Sequence, residues 1–325
     1  MAGEAVVEGV GLVKVFRGGG LFGSRLVRAV DGVDIVVRSG EGVGVVGESG
    51  SGKSTLGRLL LLLLKPDRGR VLFHGRDITG LAGGELRRLR RWMQLVPQDP
   101  YASFNPLRPV GEQVAEPLVV HGVVSTLGEA RKRILEAMER VGLVPAEELY
   151  RRLPGQLSGG QLQRLAILRA LLLEPDFIVA DEPTSSLDVS VRAGVLEMLE
   201  EYKRGGGALL FISHDLGAAR LVSDRVAVMY LGKIVEEAPT ERLLSRPLHP
   251  YTAALLTAVP SIYGKRVSVR VRLKGDIPDP SRPPTGCRLH PRCPFAGEEC
   301  RAREPALQEV EEGHRVACHR PLTGG

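Results

Sequence analysis

The octapeptide Gly47-Glu48-Ser49-Gly50-Ser51-Gly52-Lys53-Ser54 constrains this chain more than any other segment. It follows a short β-branched run, Val43 to Val46, and precedes an apolar stretch of helical length reaching Leu64, so the local order is strand, Gly-rich turn, helix. Glycines at these offsets let backbone N–H groups curl around an anion, and the start of the following helix adds partial positive charge. The pattern is that of a P-loop: Lys53 meets the β and γ oxygens of a triphosphate, Ser54 holds Mg²⁺ and Thr55 supports the phosphates.

The flanking segments give this loop a setting. Val6 to Phe16 and Leu26 to Val37 alternate apolar and polar residues around a Gly-rich loop at Gly18 to Gly23, which predicts two antiparallel strands. From Gly111 to Arg152 the periodicity is helical throughout, and a helical subdomain is expected over about 99–172. Beyond it, Phe177 to Ala180, Ala208 to Ser213 and Arg225 to Tyr230 read as strands, with a helix from Val189 to Lys203. Such alternation predicts an α/β fold with a mostly parallel sheet and helices on both faces. Near Pro260 the composition turns Pro-rich, which places a boundary between residues 1–259 and a Cys-rich segment, residues 260–325.

Two more segments carry chemistry. Phe177-Ile178-Val179-Ala180 buries a strand whose tip presents Asp181, a Mg²⁺ partner, and Glu182, placed to polarise an attacking water. Leu157-Ser158-Gly159-Gly160-Gln161 opens a helix running through Leu173, with Ser158 at the N-cap and glycines exposing the first amides. This is a second anion cradle. A single chain has no second nucleotide for it, so it is expected to close on ATP held by another subunit.

With these residues in view, the chain resembles ATP-binding subunits of the ABC transporter superfamily, over residues 6 to about 240, with Leu157 to Gln161 as the signature. The resemblance implies a P-loop NTPase (RecA-like) core carrying an antiparallel β-subdomain and a helical subdomain. It also implies roles for Gln98 as the residue sensing γ-phosphate and Mg²⁺, His214 as the switch histidine, Ser186-Leu187-Asp188 as the loop crossing a dimer interface, and Phe16 as the ring stacking on adenine. Pro97 before Gln98, Leu162 after the signature and Ser186 depart from the usual pattern without removing a catalytic group. A narrower resemblance, to the oligopeptide/dipeptide importers, rests on Gly47-Glu48-Ser49-Gly50, on Gln98-Asp99-Pro100-Tyr101-Ala102-Ser103 with Asn105-Pro106, on His249-Pro250-Tyr251-Thr252, and on the cysteine tail. Ser54 to Arg58 is similar to the second of that family's two ATPase subunits. The resemblance implies a heterodimer with a related ATPase, two membrane permeases and an extracytoplasmic binding protein, at the cytoplasmic face of the membrane. Peptides are the implied cargo, with nickel or oligosaccharides as alternatives. In Gln98 to Pro106, Tyr101 and Phe104 are expected to be exposed and to receive a permease helix.

Composition sets limits on this reading. The net charge of +6 suits polyanions or an acidic lipid surface. Arg87-Arg88 with Arg90-Arg91, and Arg131-Lys132-Arg133, fall in helical segments and read as solvated faces. A soluble ABC-type ATPase acting on nucleic acid would need a coiled-coil insertion or a second cassette, and neither is present, so no nucleic-acid partner is expected. The N-terminus, with Glu4 and Glu8, does not read as a signal peptide, and the run Leu59 to Leu64 is about a third of a membrane-spanning length.

All the cysteines, Cys287, Cys293, Cys300 and Cys318, lie in the tail, separated by five, six and seventeen residues, which is not the two-residue knuckle of common zinc folds. Four thiolates can hold Zn²⁺ or an iron-sulfur cluster, or be free buried thiols. The importer resemblance implies a [4Fe-4S] cluster. His290, His314 and His319 are expected at the surface or around that site, not as ligands.

Overall fold

The computed structural model describes residues 3–20, 23–185, 187–258 and 270–322. Its first half winds β1 (Ala5–Gly20), β2 (Gly23–Arg38), β3 (Gly42–Val46), α1 (Lys53–Leu60), β4 (Arg68–Phe73), β5 (Arg76–Asp77), α2 (Gly83–Leu89) and β6 (Met93–Val96). The helical subdomain follows as α3 (Val110–Val120), α4 (Leu127–Arg140), α5 (Ala146–Arg151) and α6 (Gly159–Leu171). The core resumes with β7 (Phe177–Asp181), α7 (Val189–Arg204), β8 (Ala208–Ser213), α8 (Leu216–Val222), β9 (Arg225–Tyr230), β10 (Lys233–Pro239), α9 (Thr240–Ser245) and α10 (Pro250–Ala258). The tail carries α11 (Glu298–Ala302), β11 (Gln308–Glu311) and β12 (His314–Val316).

Two sheets organise these elements. An eight-stranded sheet runs in the order β11-β12-β10-β9-β3-β8-β7-β6, parallel from β9 through β6, and a four-stranded antiparallel sheet runs β2-β1-β4-β5. Side chains alternate across the central strands. Val46, Ile178, Ala180, Leu209 and Phe211 face the helical subdomain with α7 and α8, while Val43, Val45, Phe177, Val179, Leu210 and Ile212 face α1 and the antiparallel sheet. The second face is therefore covered largely by strands, where alternation alone predicts helices.

Some boundaries differ from the expectation. β1 and β2 run on to Gly20 and Gly23, so the Gly-rich loop is mostly paired strand, its Leu21 and Phe22 lying outside the described residues. α1 stops at Leu60, short of Leu64: Leu62 takes a left-handed backbone, φ 49°, and donates to the Leu59 carbonyl. Leu61 and Leu62 are still buried, so the leucine run reports core occupancy beyond the helix. Arg131 and Arg133 pair with Glu147 and Glu174 on the surface, a solvated face as expected. The boundary at Pro260 and the Ser186 position lie outside the described residues.

The tail closes on the main body. β12 pairs with β10, extending the large sheet, and Arg288 reaches both the Asp31 carboxylate and the Leu231 carbonyl.

Candidate active site

The parallel strands β3, β7 and β8 end at one edge of the sheet, and the loops leaving them carry the charged groups. After β3, Gly47 passes so close to β9 that an added Cβ would lie 2.2 Å from the Met229 carbonyl oxygen. Gly52 starts α1 with φ 108°, and a Cβ there would lie 2.0 Å from the Ala29 carbonyl oxygen. Only glycine fits that position, for reasons of both space and backbone. Lys53 is buried, its Nζ donating to the carbonyls of Gly47 at 2.8 Å and Glu48 at 3.1 Å. Burial pulls its ammonium below the ordinary 10.5, while the carboxylates of Glu182, Asp181 and Glu48 push it back up.

Ser54 and Asp181 meet across the site, the serine hydroxyl donating to Asp181 Oδ1 at 2.7 Å, with Asp181 buried at the end of β7. A hydroxyl and a carboxylate side by side are hard oxygen donors suited to Mg²⁺, which completes its shell with phosphates and water and needs no larger protein cage. Glu182 follows with φ 50°, a left-handed backbone rare for a side-chain-bearing residue, its N–H donating to the Ile212 carbonyl. That turn carries its carboxylate to His214, where Oε2 lies 2.6 Å from Nδ1. Lys53, Ser54, Asp181, Glu182 and His214 thus form one connected site.

The other candidates sit around it. Gln98 is exposed just past β6, and the preceding Pro97 carbonyl accepts from Gln163 of α6 at 3.4 Å. Ser158 caps α6 reciprocally: its Oγ accepts from the Gln161 N–H at 3.2 Å and the Gln161 side chain accepts from the Ser158 N–H at 3.0 Å. The two glycines differ. A Cβ on Gly159 would meet open space, whereas one on Gly160 would strike Val191 Cγ1 at 2.4 Å, so Gly160 serves packing. Asp188 precedes α7 without capping it through its side chain. Phe16 is 41% exposed on β1, not a core ring.

In Gln98 to Pro106 the two aromatic residues part company. Tyr101 is 46% exposed and its hydroxyl donates to the Leu157 carbonyl at 3.2 Å. Phe104 is buried beneath the Arg169 guanidinium, 4.6 Å from its ring centroid, so its expected exposure is wrong. A phenylalanine has no polar tip to hold at the surface, and the neighbouring cation covers it.

In the tail, Cys287, Cys293, Cys300 and Cys318 line one small pocket with His290 and His319. Burial and the neighbouring thiols raise the Cys287, Cys293 and Cys318 thiols, the last to about 12. The donor set suits a thiolate-bound centre, yet among the described residues no group of three or more His, Cys, Asp or Glu side chains is placed to hold a metal ion. His290 Nδ1 lies 3.0 Å from the Cys287 carbonyl oxygen and His319 Nε2 3.0 Å from that of Arg303. His314 is neither surface nor cluster: it is fully buried, with Nε2 2.8 Å from Glu236 Oε1. That carboxylate also accepts the N–H groups of Leu248 and His249. Motif reasoning missed Glu236 because its partners are distant in sequence.

A P-loop at the head of a parallel sheet, an acidic strand tip and a capped Gly-Gly helix start define the class of ATP-binding cassettes. The model of the ABC transporter family matches residues 30–185, and that of the oligopeptide/dipeptide transporter C-terminal region matches residues 235–300. The chain is 48% identical to a probable peptide ABC transporter ATP-binding protein, y4tS, of Sinorhizobium fredii, over 90% of this chain and 83% of that protein. It is 45% identical to the di/tripeptide transport ATP-binding protein DppF of Pseudomonas aeruginosa, over 92% of each. Against the dimeric ATP-binding cassette MJ0796 bound to ADP and Pi, the TM-score is 0.66 at 31% identity, covering 72% of this chain and 98% of that one. The chain belongs to the ABC transporter family of ATP-binding proteins, in the branch bearing the oligopeptide/dipeptide transporter C-terminal region.

Proposed function

We propose that this chain is one of the ATPase subunits of a peptide importer, and that the residues of its site divide the work of hydrolysis as follows. Gly47 to Lys53 grips the triphosphate. Ser54 and Asp181, with Gln98, would hold Mg²⁺, which would neutralise phosphate charge. Glu182 takes the proton of the attacking water, oriented by His214. The observation that carries this reading is the continuity of the site: Ser54 on Asp181 at 2.7 Å and Glu182 on His214 at 2.6 Å, beside a buried Lys53. Phe16 stacks on adenine, a role its exposed ring favours.

The second cradle, Ser158 to Gln161, closes on nucleotide held by a partner ATPase, with Asp188 at the interface. Its support is the open space over Gly159 and the dimeric arrangement named for MJ0796. A related second subunit makes the pair a heterodimer. Permeases would receive the movement through the exposed Tyr101, placing the chain at the cytoplasmic face of the membrane, with a binding protein delivering cargo outside. Among the described residues, no helix is long and apolar enough to cross a membrane. Peptide as cargo is supported by the names of y4tS and DppF and by the match over residues 235–300.

On this reading residues 1–259 form the ATPase unit and residues 260–325 a Cys-rich unit seated on it. The four cysteines would hold a [4Fe-4S] cluster, zinc being the alternative; what supports this reading is that all four line one pocket. Iron, acid-labile sulfide and zinc analysis of anaerobically purified protein decides: iron and sulfide in equal amounts support the cluster, zinc replaces it, and neither leaves free thiols.

The test of the engine is phosphate release by the assembled transporter. Glu182→Gln should lower turnover by about 10²- to 10⁴-fold while ATP still binds. Normal turnover in this variant would show that another group is the base.

A further inference from the structure

Glu48, second in the P-loop, is held on every polar atom. Its N–H donates to the Tyr251 hydroxyl oxygen at 2.7 Å. Its carbonyl accepts from Lys53 Nζ at 3.1 Å and from the Ser51 N–H at 3.2 Å. Its carboxylate oxygens receive both terminal nitrogens of Arg292, at 2.8 and 3.1 Å. Two of these partners, Tyr251 and Arg292, come from outside the nucleotide engine. Tyr251 is fully buried at the start of α10, and Arg292 is 8% exposed in the turn between Cys287 and Cys293. They are linked to each other through Tyr230 of β9. The Tyr230 and Tyr251 rings lie 4.7 Å apart, and the Arg292 guanidinium sits 5.8 Å from the Tyr230 centroid.

The chemistry of the location gives this clasp a consequence. A phosphate cradle works through backbone amides, and a loop this rich in glycine has many conformations in which those amides do not converge. Pinning one peptide unit near the start of the loop removes part of the ordering cost that binding would otherwise carry. The acidic side chain is a second difficulty, because a bare carboxylate beside a triphosphate repels it. The Arg292 fork neutralises that charge bidentately. Burial raises the Tyr251 hydroxyl well above its ordinary value, so it faces Glu48 as a neutral phenol.

We propose that Tyr251 and Arg292 are positioning residues for nucleotide: the C-terminal region presets the P-loop through the Glu48 backbone and screens the Glu48 carboxylate, and so sets the affinity of the site. This rests on the reading of Gly47 to Ser54 as the nucleotide site, and the test separates the two ideas.

The experiment is equilibrium binding of MgATP to the purified full chain, with thermal unfolding recorded on the same samples. Tyr251→Phe deletes one oxygen and leaves the buried ring; it should weaken MgATP about three- to tenfold, the worth of one hydrogen bond. Arg292→Gln should weaken it by about tenfold or more, and adding Glu48→Gln should recover most of that loss by removing the unscreened charge. A merely structural clasp gives no such rescue. Lys53→Ala is the control on the loop. Affinity lost in Lys53→Ala but unchanged in both Tyr251→Phe and Arg292→Gln overturns the clasp and leaves the nucleotide site standing. Affinity unchanged in Lys53→Ala overturns the reading of the loop and the clasp with it. A lower melting temperature in Tyr251→Phe at wild-type affinity also overturns the proposal; should Arg292→Gln not fold, Tyr251→Phe and Glu48→Gln, singly and together, decide it by the same criterion.

Discussion

Glycines that look alike in the P-loop do unlike work, and their substitution should separate them. Gly50 has φ 78° with open space where a Cβ would go, so alanine there meets only the left-handed backbone penalty. Gly52 has φ 108° and a carbonyl oxygen 2.0 Å from the would-be Cβ, so alanine must displace the backbone at Ala29. Gly50→Ala should cost about 1 kcal/mol of stability with nucleotide binding weakened modestly. Gly52→Ala should cost about 2 to 4 kcal/mol and abolish MgATP binding, because the displaced loop no longer offers Lys53. Urea unfolding and nucleotide titration check both; equal effects at the two positions would contradict this division. The motif itself was plain in the sequence, since spacing encodes the cradle. Which glycine answers to sterics and which to conformation depends on Ala29 and Met229, far along the chain. Gly159 and Gly160 repeat the lesson, one open and the other pressed on Val191.

At the scale of elements, α1 shows helix propensity and packing in opposition. Gly57 lies inside the helix, and its missing side chain lets α1 settle onto β7 and β8, where a Cβ would stand 2.7 Å from Val179 Cγ1 and 2.9 Å from Ile212 Cδ1. In an isolated helix Gly57→Ala would stabilise by about 1 kcal/mol. Here overpacking opposes it at about 1 to 3 kcal/mol, so the net effect on urea unfolding should be neutral to destabilising, and Gly57→Leu clearly destabilising. A gain of a full kcal/mol in Gly57→Ala would mean the sheet yields freely. β1 and β2 were legible by their alternation and the central strands as short apolar runs, with β8 and β9 recovered to the residue. The end of α1 was not, since Leu61 and Leu62 stay apolar to fill the core after the helix has ended. Phe104 failed for a related reason: its cover, Arg169, belongs to another element.

Across the whole molecule, the tail is tied to the body by ions, and no local sequence pattern reveals such ties. Arg288 reaches Asp31 on β2, a residue 8% exposed that also neighbours Lys233 and Arg28. Burial alone would raise the Asp31 carboxyl, but the Arg288 hydrogen bond and the charges of Lys233, Arg288 and Arg28 together hold it below its ordinary 3.8. A depressed carboxyl contributes stability that is fully present above its unfolded value and is lost as pH falls through the folded one. Arg288→Met removes one strong partner and leaves the others. At pH 7 it should therefore lower stability by about 1.5 to 3 kcal/mol, the range for a hydrogen bond to a charged group. From pH 7 down to about 4 the gap between wild type and variant should hold, because Asp31 is ionised in both folded and unfolded chains. Below that it should narrow, as the wild type alone gives up the favourable pairing when Asp31 takes a proton. Urea midpoints measured from pH 7 to pH 3 trace the gap directly. A gap of constant size down to pH 3 would assign the stabilisation to the other Arg288 contact, the uncharged carbonyl of Leu231, which does not titrate.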